Sequence, residues 1–98
     1  MSKLMILMPN GYEEIEGLIV VDFCRRANIE IDMVSITGSL ETLGDHKIKV
    51  MADKLVEDID LKEYKGVITP GGYPGTMMLK DDKRVVEIIE NLDRKSVV

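Results

Sequence analysis

Leu4-Met5-Ile6-Leu7-Met8-Pro9-Asn10-Gly11 places five consecutive apolar residues against a turn. A strand with one wet face alternates apolar and polar residues. An unbroken apolar run is buried on both faces, as in a parallel sheet covered by helices. Beyond the turn, Glu13, Glu14 and Glu16 open a helix that runs to about Ala27, and Arg25 and Arg26 close it. Acids in the first turn and bases in the last both match the helix dipole. Asn28 suits a left-handed C-cap. The helix is apolar nearly all round from Gly17 to Cys24, so it covers a sheet and keeps apolar surface for a second subunit.

Working outward, Ile29, Ile31, Met33, Val34 and Ile36 alternate with charge at first and predict a second strand. Leu40–Leu43, a turn at Gly44-Asp45 and Ile48–Val50 read as a short hairpin. From Asp53 to Tyr64 no long period is present, and a loop with one helical turn begun by Asp60 is expected. Gly66–Thr69 reads as a short buried strand that runs into Pro70-Gly71-Gly72-Tyr73-Pro74-Gly75. Val85, Val86, Ile88, Ile89 and Leu92 form one helical stripe, with Asp81 or Asp82 as N-cap. Lys95-Ser96-Val97-Val98 then enters a new apolar run, so the chain reads as residues 1–98 of a longer domain. Strands alternating with helices imply an α/β fold with right-handed crossovers.

Composition narrows the functions. Thirteen basic against eighteen acidic residues leave a net charge of −5, which disfavours nucleic acid as a partner. The longest apolar stretches fall far short of the ~20 residues that a membrane span needs. One cysteine excludes an internal disulfide framework, and one histidine is too few for a zinc cluster. No metal or cofactor is expected, and the reducing cytoplasm is the expected setting.

Ligands of open α/β sheets bind beyond the carboxyl ends of the strands. Three segments are expected at that edge: Pro9-Asn10-Gly11 leading into Glu13–Glu16, the loop Pro70–Gly75, and a third that would follow Val98. Gly71 and Gly72 serve either as a tight turn or as a nest of N–H groups aimed at an oxyanion. The loop lacks both the dinucleotide fingerprint and the phosphate-loop lysine. Glu16 is either a dipole complement like Glu13 and Glu14 or a carboxyl partly buried at the active edge, with a raised pKa. Cys24, mid-helix among apolar residues, reads as an inert thiol. His46 lies in the hairpin turn, far off in the topology, as a solvent-facing or interface group. Asp22 is expected to pair with an arginine.

Gly11-Tyr12-Glu13-Glu14-Ile15-Glu16, Asp22 with Arg25-Arg26-Ala27, and Val67-Ile68-Thr69-Pro70-Gly71-Gly72 together resemble the DJ-1/PfpI (ThiJ) superfamily across essentially the whole chain. The resemblance implies a flavodoxin-like, class I glutamine amidotransferase-like parallel sheet sandwiched by helices. It implies a nucleophilic cysteine on an elbow a few residues past Val98. Glu16 then matches the acid that hydrogen-bonds that sulfur and favours its thiolate. Gly72, with Gly71, matches the oxyanion-hole glycine, and Asn10, Gly11 and Tyr73 fall at the pocket, where Tyr73 replaces a common Asn. Ile15, Ile19, Asp22, Arg25 and Arg26 fall on the helix at the dimer interface of many members. The resemblance places His46 where the human member of the family has an arginine near that interface.

The implied activity is cysteine-dependent glyoxalase or deglycase handling of a small α-oxoaldehyde by a homodimer completed by its own C-terminal segment. The alternatives are a redox-sensing or chaperone-like dimer, a protease- or amidotransferase-like member, and an anion-binding module that uses the glycine loop.

Overall fold

β1 (Lys3–Met8) is the strand on which the others are laid. The computed structural model describes residues 3–70 and 83–92. After β1 come α1 (Glu14–Arg26), β2 (Ile31–Ser35), the hairpin β3 (Glu41–Leu43) and β4 (Lys49–Met51), β5 (Lys54–Leu55), β6 (Tyr64–Ile68) and α2 (Lys83–Leu92). The main sheet has the order β5-β2-β1-β6 and is parallel throughout. Ile6 lies opposite Met33 on one side and Ile68 on the other. β3 and β4 form a separate antiparallel pair.

The unbroken apolar run of β1 serves both faces of the sheet. Met5 and Leu7 join Val34, Val67, Val85 and Ile88 on the α2 side. Ile6 and Met8 join Tyr12, Val21, Ile31 and Met33 on the α1 side. Truncation of a fully buried residue of this kind costs about 2–5 kcal/mol, because it leaves a cavity.

α1 ends in a Schellman motif. Asn28 takes the left-handed conformation (φ 60°), Ile29 N donates to Cys24 O (2.8 Å) and Asn28 N donates to Arg25 O (3.2 Å). Asp22 pairs with Arg26 one turn on (3.0 Å), while Arg25 reaches Asp53 (2.8 Å), whose carboxylate also accepts from Met33 N.

The segment from Asp53 to Tyr64 holds more order than its sequence announces. It forms β5 and two 3-10 turns, Val56–Asp58 and Leu61–Glu63, the second capped by Asp60, which accepts from Lys62 N (3.0 Å). A strand of two residues has no period to detect. β6 also begins earlier than Gly66. Tyr64 is fully buried, and its hydroxyl donates to Asp32, which Lys3 (3.1 Å) and Lys54 (3.6 Å) flank. Burial of the Asp32 carboxyl pushes its pKa up, but the Tyr64 hydroxyl and Lys3 outweigh this and hold it below the usual range. Val97-Val98 and the cap candidates Asp81 and Asp82 lie outside the described residues.

Candidate functional site

The chain leaves β1 toward β2 on one side, and β6 lies on the other. A topological switch point therefore falls at the carboxyl end of β1, between β1 and β6, where such sheets bind ligands. A cleft of about 330 Å³ lies there, lined by Ile6, Glu16, Ile19, Val20, Ile68, Thr69 and Pro70. Gly17 lets the start of α1 sit close to this edge: a Cβ on it would lie 3.2 Å from the Tyr12 ring and 3.9 Å from Pro70 Cβ. Glu16 thus shares a cleft with the two residues that precede Gly71. Gly71, Gly72 and Tyr73 lie outside the described residues.

Glu16 is exposed, against the expectation of burial. Helical geometry explains the difference. The stripe of α1 that faces inward is Glu14, Gly17 and Val21, spaced at i, i+3 and i+7. Glu16 is more than a quarter of a helix turn off that stripe and faces the cleft rather than the core. The buried acid is Glu14, only 2% exposed. Its spacing from Gly17 and Val21 was the available signal.

Glu14 crosses to the hairpin. Its Oε2 accepts from His46 N (2.7 Å) and Ile48 N (3.2 Å), and its Oε1 accepts from His46 Nδ1 (2.8 Å). An ionised carboxylate only accepts, so Nδ1 carries the proton. Burial pushes the Glu14 carboxyl up, but the His46 ring and the surrounding backbone N–H groups outweigh it and hold the pKa at about 2. The same contact raises the pKa of His46. His46 is exposed, as expected, and its ring is joined to the start of α1 through Glu14. Chain distance concealed a contact that the hairpin makes by folding back over the β1–α1 connection.

Asn10 and Gly11 lie on that connection. Gly11 adopts φ 87°, a left-handed value that suits glycine. Asn10 Oδ1 accepts from Leu43 N (2.9 Å), so Asn10 orders the hairpin. Glu13 caps the helix by accepting from Ile15 N (2.6 Å). The donor atoms of Glu13, Glu14 and His46 lie within 4.8 Å of one another. Those atoms already accept or donate the bonds just given, and a cation there would have to displace them.

The interface candidates divide between two faces. Ile15 (72% exposed), Ile19 (47%) and Phe23 (66%) form a stripe at i, i+4 and i+8 along the outside of α1. Asp22 and Ile48 lie beside this stripe, with Ile15, Leu18 and Ile19, around an apolar groove. Arg25 and Arg26 are held in the intrachain pairs described above. Phe23 is a member of the stripe that periodicity within the apolar run did not single out. Cys24 is half-buried against the α1-side core. Among the described residues, no helix is long and apolar enough to cross a membrane.

The family model described as "DJ-1/PfpI family" matches residues 2–98. Protein DJ-1 homolog B of Arabidopsis thaliana is 24% identical over 88 residues, covering 90% of this chain and 20% of that protein. The Parkinson disease protein 7 homolog of Danio rerio is 26% identical over 99 residues, covering 99% of this chain and 52% of its own length. A crystal structure of a cysteine-to-alanine mutant of a DJ-1 superfamily protein from Salmonella typhimurium superposes with a TM-score of 0.92 at 25% identity, over 99% of this chain and 54% of that one. Oxidized Toxoplasma gondii DJ-1 shares the fold with a TM-score of 0.93 at 24% identity, over 99% of this chain and 54% of its own. The chain thus spans about half the length of these two solved relatives. With the strand order, the helix placement and the Gly-x-Glu-Glu-x-Glu turn all accounted for, the chain belongs to the DJ-1/PfpI family.

Proposed function

We propose that this chain supplies the acid and the oxyanion loop of a cysteine-dependent site that handles small α-oxoaldehydes in glyoxalase or deglycase fashion. The cysteine lies in the remainder of the domain. The observation that carries the reading is the position of Glu16, in one cleft with Thr69 and Pro70 at the switch point of the sheet. There a carboxylic acid can donate to a cysteine sulfur and favour the thiolate, which attacks the aldehyde carbon. The backbone N–H groups of Gly71 and Gly72 would meet the oxyanion that forms. A relative solved as a cysteine-to-alanine mutant lends support to a functional cysteine.

Exposure of Glu16 in this chain fits a residue whose cover comes from the rest of the domain. Methylglyoxal turnover by the full-length protein tests the reading. Turnover that falls at least tenfold in Glu16→Asp, where the acid is withdrawn, and much less in Glu16→Gln supports it. Absence of turnover in the wild-type protein refutes it.

The α1 stripe favours a second, compatible reading, in which two copies meet along Ile15, Ile19 and Phe23. An i, i+4, i+8 row of large, exposed apolar side chains is the surface that such an interface buries. A dimer without turnover is the sensor or chaperone alternative.

A further inference from the structure

The β3–β4 hairpin takes no part in the main sheet, yet it is bonded to four of the seven residues between β1 and Glu16, namely Asn10, Gly11, Tyr12 and Glu14. Asn10 Oδ1 accepts from Leu43 N (2.9 Å) and Gly11 N donates to Leu43 O (2.8 Å). Asp45 N donates to Tyr12 O (2.8 Å). Thr42 Oγ1 donates to Val50 O (2.8 Å), so the buried Tyr12 hydroxyl is the donor in its 3.3 Å contact with Thr42. Glu14 closes the set with its three bonds to His46 and Ile48.

Gly44 makes the Glu14 seat possible. A Cβ at that position would stand 2.3 Å from both Cδ and Oε2 of Glu14, a distance that no packing tolerates. One methyl group at Gly44 would therefore displace the Glu14 carboxylate from its seat on the hairpin.

We propose that the β3–β4 hairpin braces the candidate site, with His46 and Gly44 as positioning residues that fix, through Glu14, the first turn of α1 and hence the place of Glu16. This deepens the reading of Glu16 given above and rests on it. One link of the brace titrates, the His46 imidazole, and its pKa is raised above the ordinary 6.5 by the Glu14 carboxylate. Glu14, Glu13 and Asp45 all face His46 and raise its pKa, and the Glu14 charge also raises that of the Tyr12 hydroxyl, whose own burial is the larger cause. The ion pair is complete above the ordinary glutamate value of 4.5 and below the ordinary histidine value of 6.5. It loses its charge as pH rises through the raised value of His46.

The test uses the full-length protein and two readouts: the His46 imidazole titration by NMR and the pH profile of nucleophile-cysteine alkylation by iodoacetamide. The wild-type imidazole titrates above 6.5, and the alkylation profile carries an inflection at that pH. Gly44→Ala, which alters neither titrating partner, returns His46 toward 6.5, removes the inflection and changes alkylation at neutral pH by three-fold or more. His46→Ala, at an exposed side chain, removes the inflection even if Gly44→Ala fails to fold. Alkylation profiles in His46→Ala and Gly44→Ala that match wild type overturn the brace, provided that Glu16→Leu shifts the profile. If Glu16→Leu does not shift it, the reading of Glu16 fails by itself. The brace then stands or falls on His46, and a wild-type imidazole that titrates at 6.5 overturns it.

Discussion

Phe23→Ala removes the largest exposed side chain of α1, and its effect follows from the area it would bury. A phenylalanine presents roughly 200 Å² when free, so 66% exposure leaves about 130 Å² for a partner to cover. Allowing for the alanine that remains, burial at ~25 cal/mol/Å² gives about 2 kcal/mol per chain. A two-fold interface uses the residue twice, which makes about 4 kcal/mol, or roughly a thousandfold in the dimer Kd. The fold of each chain should be nearly indifferent, because Phe23 belongs to neither core cluster. Sedimentation equilibrium of the full-length protein measures the Kd, and thermal melting in the monomeric range controls for folding. A Kd within three-fold of wild type, with an unchanged melt, refutes the assignment of this stripe to the interface. Ile19→Glu on the same stripe should dissociate the dimer at micromolar concentration.

Other outcomes follow from the charged contacts. Tyr64→Phe removes a donor to a carboxylate that keeps Lys3 and Lys54, so a loss of ~1.5 kcal/mol is expected in urea unfolding. Because Asp32 is held below its ordinary 3.8, it stabilises the fold above that pH and stops doing so as pH falls through its lowered value. In Tyr64→Phe acid unfolding should therefore begin at higher pH. Glu14, held at about 2, loses its contribution as pH falls from 4.5 toward that value, and His46 loses its own as pH rises through its raised value. Glu14→Gln should flatten both limbs of the stability–pH curve.

Much of this was legible because period and burial agree. Leu4–Met8 read as a strand buried on both faces, and its residues do alternate between the two cores. Asn28 read as a left-handed cap and is one. The site was legible in part. Glu16 does stand at the carboxyl edge, but the buried acid is Glu14, which the i, i+3, i+7 relation to Gly17 and Val21 places inward. Charge counting treats three neighbouring glutamates alike, whereas helical phase separates them. The bond between Glu14 and His46 joins residues 32 positions apart, and nothing local in the hairpin announces it. The order found between Asp53 and Tyr64 comes from pairing with β2 and from caps, not from apolar rhythm.

In the function proposed, Glu16 governs the reactivity of a cysteine in the completed domain. Thiol titration of the full-length protein, wild type against Glu16→Leu, tests it most directly. If Glu16 donates to the sulfur and favours the thiolate, the cysteine pKa rises in the variant by a unit or more, which corresponds to about 1.4 kcal/mol for each unit. A cysteine pKa identical in the two proteins would leave Glu16 as no more than a charge at a helix N-terminus and would contradict the account.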